Sequence, residues 1–136
     1  MPVNFFDTNV LVYAETHDEP AKNSVAVDLV ERVTGSGDAG ISIQVLQETY
    51  SVLQRKLLPD LCRNVVANIA ASMDVYEPTQ ADVLEAIDDS LRWQINFWDA
   101  MILLAARRLG AATVWSEDLN SGQSYGSVRV QNPFAA

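Results

Sequence analysis

Four carboxylates occupy positions at which an enzyme could bind a metal ion. They are Asp7, Glu48, Asp99 and Asp118. Carboxylates that face one another in a cleft of low dielectric repel strongly, and a hard cation that prefers oxygen ligands relieves this repulsion. If the fold brings the four together, they predict a binding site for Mg²⁺ or Mn²⁺.

Each acid also has a purely structural interpretation. Asp7 and Asp99 could cap helices, and Glu48 could be one charge on a solvated helix face. Asp118 could stabilise a turn. Asp99 fits its structural interpretation least well, because it directly precedes the apolar run 100–106, where an uncompensated carboxylate is costly unless it is paired or bound to a metal.

Short β-favouring runs alternate with helical patterns along the chain. Strands are predicted at 3–6, 41–43, 73–76, 113–115 and 128–130. Helices are predicted at 8–13, at 21–34 and at 99–109. Another helix is predicted to follow Pro59 and to end near residue 72, and a further one to begin at a capping box on Thr79 and to end near residue 92. One more helix is predicted from its apolar stripe, which consists of Leu46, Tyr50, Leu53 and Leu57. The alternation predicts a single α/β domain over residues 1–136 with a mainly parallel sheet.

In this architecture the carboxyl ends of the parallel strands line one crevice, where ligands bind. Asp7 follows the first strand, Asp118 follows the fourth, and Asp99 begins the most apolar helix. We therefore expect these three acids at that edge, with Glu48 reaching it from the helix after the second strand. The helix face that carries Glu48 is predicted to carry Gln44, Ser51 and Arg55 as well.

Composition excludes some classes of protein. Eighteen acidic and nine basic residues give a net charge of −9, which argues against binding nucleic acid through a broad basic face, although not against an enzyme that holds it through metal ions. The run 100–106 is far shorter than the ~20 residues of a membrane helix, and no signal peptide is expected at residues 1–7. The single cysteine, Cys62, is expected in the core and fits a reducing cytoplasm.

Four segments of the chain resemble the PIN-domain family, and most of all its VapC-type toxins. The segments are FFDTNVLVY at 5–13, FWDA at 97–100, SEDLNSGQ at 116–123 and VQNPF at 130–134. By this resemblance the family's acidic site falls on the four acids named above, with Asn9 and Ser116 as supporting polar residues. Glu117 is expected outside the metal site, because the pattern Ser-Glu-Asp-Leu aligns Asp118 with the family acid.

The resemblance also implies a fold and a function. It implies a parallel sheet of four to five strands flanked by helices, Mg²⁺-dependent endoribonuclease activity, a homodimer, and neutralisation by a partner antitoxin. The corresponding mechanism is hydrolysis of RNA phosphodiester bonds with one or two Mg²⁺ ions, which activate a water and neutralise charge on the phosphate. The metal would be held by Asp7, Asp99 and Asp118, with Glu48 binding directly or through water. Mn²⁺ is the expected substitute.

Some residues keep two interpretations. Arg55 could contact a phosphate of the RNA or belong to a solvated helix end. Trp93, Phe97 and Trp98 could stack on bases, although aromatic residues before a buried helix more often form core or dimer contacts.

Two rival functions remain. An aspartyl-phosphate phosphatase or a receiver domain would be expected to have a second Asp where this chain has Asn9, and a Lys at a later strand end. A catalytically silent PIN-like module that binds RNA or protein would be expected to have lost one or more of the acids, and all four are present.

Overall fold

The computed structural model describes residues 3–135; the ends of the predicted domain, residues 1–2 and 136, lie outside the described part. The strands are β1 Asn4–Phe6, β2 Ala39–Ser42, β3 Asp74–Tyr76, β4 Thr113–Trp115, β5 Ser124–Tyr125 and β6 Val128–Gln131. The helices are α1 Thr8–Glu15, α2 Pro20–Gly35, α3 Ile43–Leu53, α4 Pro59–Ser72, α5 Gln80–Trp93 and α6 Phe97–Arg108. Within this part of the chain, no helix has the length and apolar character that crossing a membrane requires.

The strands form one sheet in the order β3-β2-β1-β4-β6-β5. Strands β3, β2, β1, β4 and β6 are parallel to one another, and β5 pairs antiparallel with β6. The predicted α/β fold with a mainly parallel sheet is therefore confirmed. Within residues 3–135 the sheet has six strands rather than the expected four to five. The additional strand, β5, has two residues and returns to β6 through Gly126, whose φ is 66°. A two-residue strand has no periodicity from which it could be predicted.

Strand β1 lies in the middle of the sheet, between β2 and β4. The chain leaves β1 towards β2 on one side and later returns to β4 on the other, and the crevice between two such strands is the usual ligand site of an open parallel sheet. The register pairs Phe6 with Trp115, and the backbone N–H of Asp7 donates to the Trp115 carbonyl over 3.0 Å. Asp7 and Ser116 therefore lie side by side, directly beyond the carboxyl ends of β1 and β4.

Helix α6 is the most buried helix, as its all-round apolar sequence predicts. Its residues 100–106 are all buried. The helix begins at Phe97, two residues before the predicted start, because the Asn96 side chain accepts the Trp98 N–H over 2.7 Å and caps it. Asp99 therefore lies within the first turn, and its predicted alternative role as a helix cap is wrong.

Helix α3 differs from its prediction in the face that it buries. The buried residues are Val45, Thr49 and Leu53. Leu53 belongs to the predicted stripe and is buried as expected, whereas Tyr50 of the same stripe is 41% exposed. The stripe was predicted from apolar residues alone, and a buried threonine escapes such a pattern. Cys62, in the next helix, is fully buried, as predicted.

Candidate active site

The four predicted acids line one cavity of about 620 Å³. They arrive from four separate segments: the end of β1, helix α3, the first turn of α6 and the loop after β4. We call this space the acidic cavity and define it by Asp7, Glu48, Asp99 and Asp118. The structure thus brings together the four side chains that the sequence singled out.

Asn9 links two of these acids. Its amide nitrogen Nδ2 lies 3.3 Å from Asp7 Oδ2 and 3.2 Å from Asp118 Oδ2, so its two hydrogens are directed at both carboxylates. Its oxygen Oδ1 accepts the backbone N–H of Glu117 over 3.1 Å. One side chain in the first turn of α1 thereby holds the loop after β4 against the loop after β1.

Ser116 is the second polar support of the site, and it is fully buried. Its hydroxyl Oγ donates to Asp7 Oδ2 over 2.7 Å and accepts the backbone N–H groups of Asp118, at 3.1 Å, and Leu119, at 3.3 Å. Such a side-chain turn gives the loop a fixed shape directly after β4. Asn9 and Ser116 therefore both lie where their predicted supporting role requires.

We expect Ser116→Ala to lower the free energy of unfolding by about 1–3 kcal/mol, because buried N–H groups would lose their acceptor. Urea unfolding of the variant and of its parent measures the difference. Ser24→Ala on the exposed side of α2 is the matched control and should change it by less than about 0.5 kcal/mol. Equal stability of the two serine variants would contradict the supporting role of Ser116.

Asp7 combines a structural and an electrostatic role. Its carboxylate caps α1 by accepting the Thr8 N–H over 2.8 Å, so its alternative interpretation as a helix cap is correct in geometry. Burial nevertheless raises the pKa of Asp7 to about 6, although the hydrogen bonds from Ser116 and Thr8 lower it. The charges of Asp118 and Glu48 raise it further. A carboxylate in this state is stabilised by a nearby cation.

Asp99 has less structural support than Asp7. Burial raises its pKa above the ordinary value, and the charges of Asp118 and Glu48 add to this rise. Among residues 3–135, no hydrogen bond to its carboxylate offsets these costs. The position of this acid is therefore hard to explain by folding alone.

Glu48 reaches the cavity from α3 with two partners. Thr8 Oγ1 donates to Glu48 Oε1 over 3.1 Å, and Gln44 Nε2 lies 3.4 Å from the same oxygen. Neither Thr8 nor Gln44 was predicted to hold an acid in place. Gln44 lies one turn before Glu48 on the same predicted helix face, whereas the contact of Thr8 depends on the packing of α1 against α3, which the sequence does not show.

The donor atoms of the acidic cavity suit a small hard cation. All four acids offer carboxylate oxygens, which Mg²⁺ and Mn²⁺ prefer. In the part of the chain that the structure describes, no three acidic, histidine or cysteine side chains converge on one metal position. The four acids therefore suit a divalent cation by their chemistry. In the structure, Asp7, Glu48 and Asp118 are oriented by hydrogen bonds from Thr8, Asn9 and Ser116.

Arg55, the predicted phosphate contact, lies away from the cavity. Helix α3 ends at Leu53, so Arg55 falls in the turn beyond it and does not share the helix face of Glu48; that part of the prediction is wrong. Its neighbour Lys56 lines the cavity instead and forms an ion pair with Asp18. No sequence pattern distinguished Lys56 from Arg55, because neither Gly nor Pro marks the end of this helix.

Glu117, which was expected outside the metal site, does not line the cavity. It forms an ion pair with Lys22 and accepts the Tyr13 hydroxyl over 2.9 Å. Burial acts to raise the pKa of the Glu117 carboxyl, but the hydrogen bonds from Lys22 and Tyr13 and the charge of Lys22 together hold that pKa below its ordinary value. Glu117 thus connects the loop after β4 to α1 and α2.

Without metal, Asp99→Asn should melt at a higher temperature than the parent at neutral pH. The folded-state pKa of Asp99 is raised, so ionisation of Asp99 costs stability once the pH rises above its unfolded value. Asparagine removes that cost at nearly unchanged volume, and such gains are common at functional sites. Melting in EDTA at several pH values measures the effect, with exposed Asp28→Asn on α2 as the control.

The pH dependence has a defined direction. Asp7 also has a folded-state pKa, about 6, above its unfolded value of about 3.9, so the metal-free parent should lose stability as the pH rises from about 4 through 6. The advantage of Asp99→Asn should therefore shrink in acid. Asp7→Asn should gain less, because it disturbs the bonds from Thr8 and Ser116. If all acid-to-asparagine variants melt below the parent at every pH, the acids are structural.

Comparisons with known proteins agree with this geometry. The family model described as the PIN domain matches residues 5–121. Ribonuclease VapC24 of Mycobacterium tuberculosis is 24% identical over 140 residues, which cover 96% of each chain. The fold is similar to that of VapC20 from Mycobacterium tuberculosis, a toxin that cleaves the sarcin-ricin loop, with a TM-score of 0.67, 20% identity and coverage of 85% of this chain and 89% of that one. It is also similar to a chain of a toxin-antitoxin complex from Klebsiella pneumoniae, with a TM-score of 0.67, 14% identity and coverage of 96% and 97%.

Proposed function

We propose that this chain, which belongs to the PIN domain family, is a Mg²⁺-dependent endoribonuclease that acts as the toxin of a toxin-antitoxin pair. One observation carries the proposal: carboxylates from four separate segments line one cavity at the carboxyl edge of a parallel sheet. A relative of nearly the same length is a ribonuclease, which supports RNA as the substrate.

The proposed cofactor is Mg²⁺, with Mn²⁺ as a substitute. Asp7, Asp99 and Asp118 would hold it, with Glu48 as a direct ligand or a ligand through water. When bound, a cation of this kind lowers the pKa of water and neutralises the negative charge that develops on a phosphate under attack. The raised pKa values of Asp7 and Asp99 support the assignment, since both arise from burial and from neighbouring carboxylates.

The other residues of the site orient these acids. Asn9 and Ser116 fix the relative position of Asp7 and Asp118, and Thr8 and Gln44 restrain Glu48. Such outer partners usually matter about 10- to 100-fold for metal affinity or activity. The site is therefore supported by hydrogen bonds from α1, α3 and the loop after β4.

Substrate positioning is a separate matter, because the chain has a net charge of −9 and the cavity is acidic. Lys56 is the one cation among the described residues that line the cavity, and it pairs with Asp18 there. A phosphate could compete with Asp18 for this ammonium group. Arg55 remains a candidate phosphate contact from the same turn, outside the cavity.

The proposed partners are the RNA substrate, a cognate antitoxin and a second copy of the chain, and the proposed location is the cytoplasm. The similarity of the fold to a chain of a toxin-antitoxin complex supports the antitoxin. A ribonuclease in a compartment that is rich in RNA would need such an inhibitor.

The proposal is tested by incubating the purified chain with structured and single-stranded RNAs in Mg²⁺, in Mn²⁺ and in EDTA. Cleavage that requires a divalent ion is the expected result. Equal cleavage in EDTA would overturn the metal assignment. Binding without cleavage under every condition would show instead a silent PIN-like binding module.

A further inference from the structure

Trp98 is the exposed aromatic side chain of the acidic cavity. It is 60% exposed, whereas Trp93 and Trp115 are each half-buried. Among the large apolar side chains that are exposed in residues 3–135, only Trp98 lines the cavity. An indole in this position has no role in the core, which removes one of its two structural interpretations.

The other two aromatic residues of this region are used internally. Trp93 packs edge-on against Tyr125 with ring centroids 5.3 Å apart. Phe97 is partly buried and packs edge-on against Trp98 itself, at 5.0 Å and an interplanar angle of 69°. Phe97 therefore supports one edge of the indole, while much of the indole stays accessible.

The backbone of Trp98 is fixed from both sides. Its N–H donates to Asn96 Oδ1 over 2.7 Å, and its carbonyl lies 3.4 Å from Gln44 Nε2. The same Gln44 nitrogen lies 3.4 Å from Glu48, and the next residue after Trp98 is Asp99. The backbone of Trp98 is thus held beside Glu48 and Asp99, and this fixes the point from which the indole extends.

An RNA strand at this cavity meets carboxylates and few cations. Stacking of a base on an aromatic ring does not depend on net charge, and one such stack contributes roughly 5- to 150-fold in affinity. Only an unpaired base can stack in this way, because a base inside a duplex is already covered on both faces. An exposed indole beside the acids would therefore favour single-stranded over paired RNA.

We propose that Trp98 stacks on an unpaired nucleobase next to the scissile phosphate and so selects single-stranded RNA segments. This inference rests on the proposed ribonuclease function and adds a determinant of substrate specificity to it. Trp98 is a positioning residue and takes no part in bond cleavage.

The test combines protein variants with substrates that lack one base. Trp98→Ala, Trp98→Phe and the control Leu91→Ala, which truncates an exposed side chain on α5 away from the cavity, are assayed on one single-stranded RNA. Trp98→Ala should lower kcat/KM about 10-fold, mainly by raising KM. Trp98→Phe should retain most of the parent's kcat/KM, and Leu91→Ala should retain all of it. The same RNA with an abasic site placed in turn at each position near the cleaved bond locates the stacked base.

Loss of that base should slow the parent about as much as Trp98→Ala does, and should slow Trp98→Ala no further. The inference would be overturned if the Trp98→Ala enzyme were as active as the parent. It would also be overturned if, at every abasic position, the fold-loss in kcat/KM from the missing base were as large in Trp98→Ala as in the parent. A loss of activity that accompanies loss of the dimer, without coupling to any abasic position, would show that Trp98 is a subunit contact.

The inference and the proposed function can fail separately. Tryptophan fluorescence monitors the binding of the same RNAs to the Asp7→Asn protein and so measures stacking without cleavage. If the parent cleaves no RNA, the ribonuclease proposal fails. If it cleaves RNA but binding shows no coupling between Trp98 and any base, only the stacking fails.

Discussion

Asparagine at position 7, 99 or 118 should reduce Mg²⁺-dependent RNA cleavage by about 100-fold or more while leaving the chain folded. Each substitution removes one negative charge from the acidic cavity and barely changes the volume of the side chain. Loss of an outer partner of a metal ligand already costs about 10- to 100-fold, so loss of a direct ligand should cost more. Single-turnover cleavage rates and circular dichroism of the same samples measure activity and folding together.

The three positions differ in how cleanly they test the site. Asp99 is the sharpest, because no hydrogen bond from the described residues would be lost with its charge. Asp7 also caps α1 and accepts from Ser116, so its variant changes the helix start as well. Asp28→Asn makes the same chemical change on an exposed face and should retain full activity. A well-folded Asp99→Asn protein with undiminished cleavage would contradict the metal site.

The meeting of the acids could be predicted because it depends on topology rather than on detail. Residues that directly follow parallel strands lie at one edge of the sheet, and this places Asp7 beside Asp118 although more than a hundred positions separate them. The burial of α6 was predictable for a similar reason: a helix that is apolar on every side has no face to turn to water. Both predictions need only the order and polarity of the elements.

Details that depend on polar side chains inside the fold could not be predicted. Thr49 is buried although it is polar, so Tyr50 was assigned to the buried face of α3 in its place, whereas Leu53 was assigned correctly. Asn96 rather than Asp99 caps α6, and both residue types are good caps. The bonds of Asn9 to Asp118 and to the backbone of Glu117 depend on how β1 aligns with β4, which no local pattern encodes.

The same reasoning explains why Arg55 was misplaced. Arg55 was assigned to the face of Glu48 because the predicted apolar stripe of α3 continues to Leu57, about one turn beyond the observed end of the helix. The helix ends at Leu53, and the following turn brings Lys56 into the cavity lining instead of Arg55. Where a helix ends without Gly or Pro, tertiary contacts decide the end, and side-chain directions beyond it cannot be derived from spacing.

An antitoxin segment that carries at least one arginine should inhibit the proposed ribonuclease almost completely by entering the acidic cavity. Besides its four acids, the cavity is lined by Asp18 and Glu19, and Lys56 is the one described cation there. A guanidinium group can bridge two carboxylates with paired hydrogen bonds and so occupy the place of a metal. Because this attraction acts between charges, binding should weaken as the salt concentration rises.

Co-expression of the chain with the product of the adjacent upstream gene tests this prediction through growth and RNA cleavage, and calorimetry at low and high salt tests the contact. An inhibitor whose arginine is replaced by alanine should bind the parent chain more weakly. The unmodified inhibitor should likewise bind the Asp118→Asn chain more weakly than it binds the parent. Asp28→Asn should bind as the parent does, since its charge lies away from the cavity. Toxicity that the neighbouring product does not relieve, or a complex that ignores Asp118 and leaves the nuclease active, would show that inhibition does not pass through the acidic cavity.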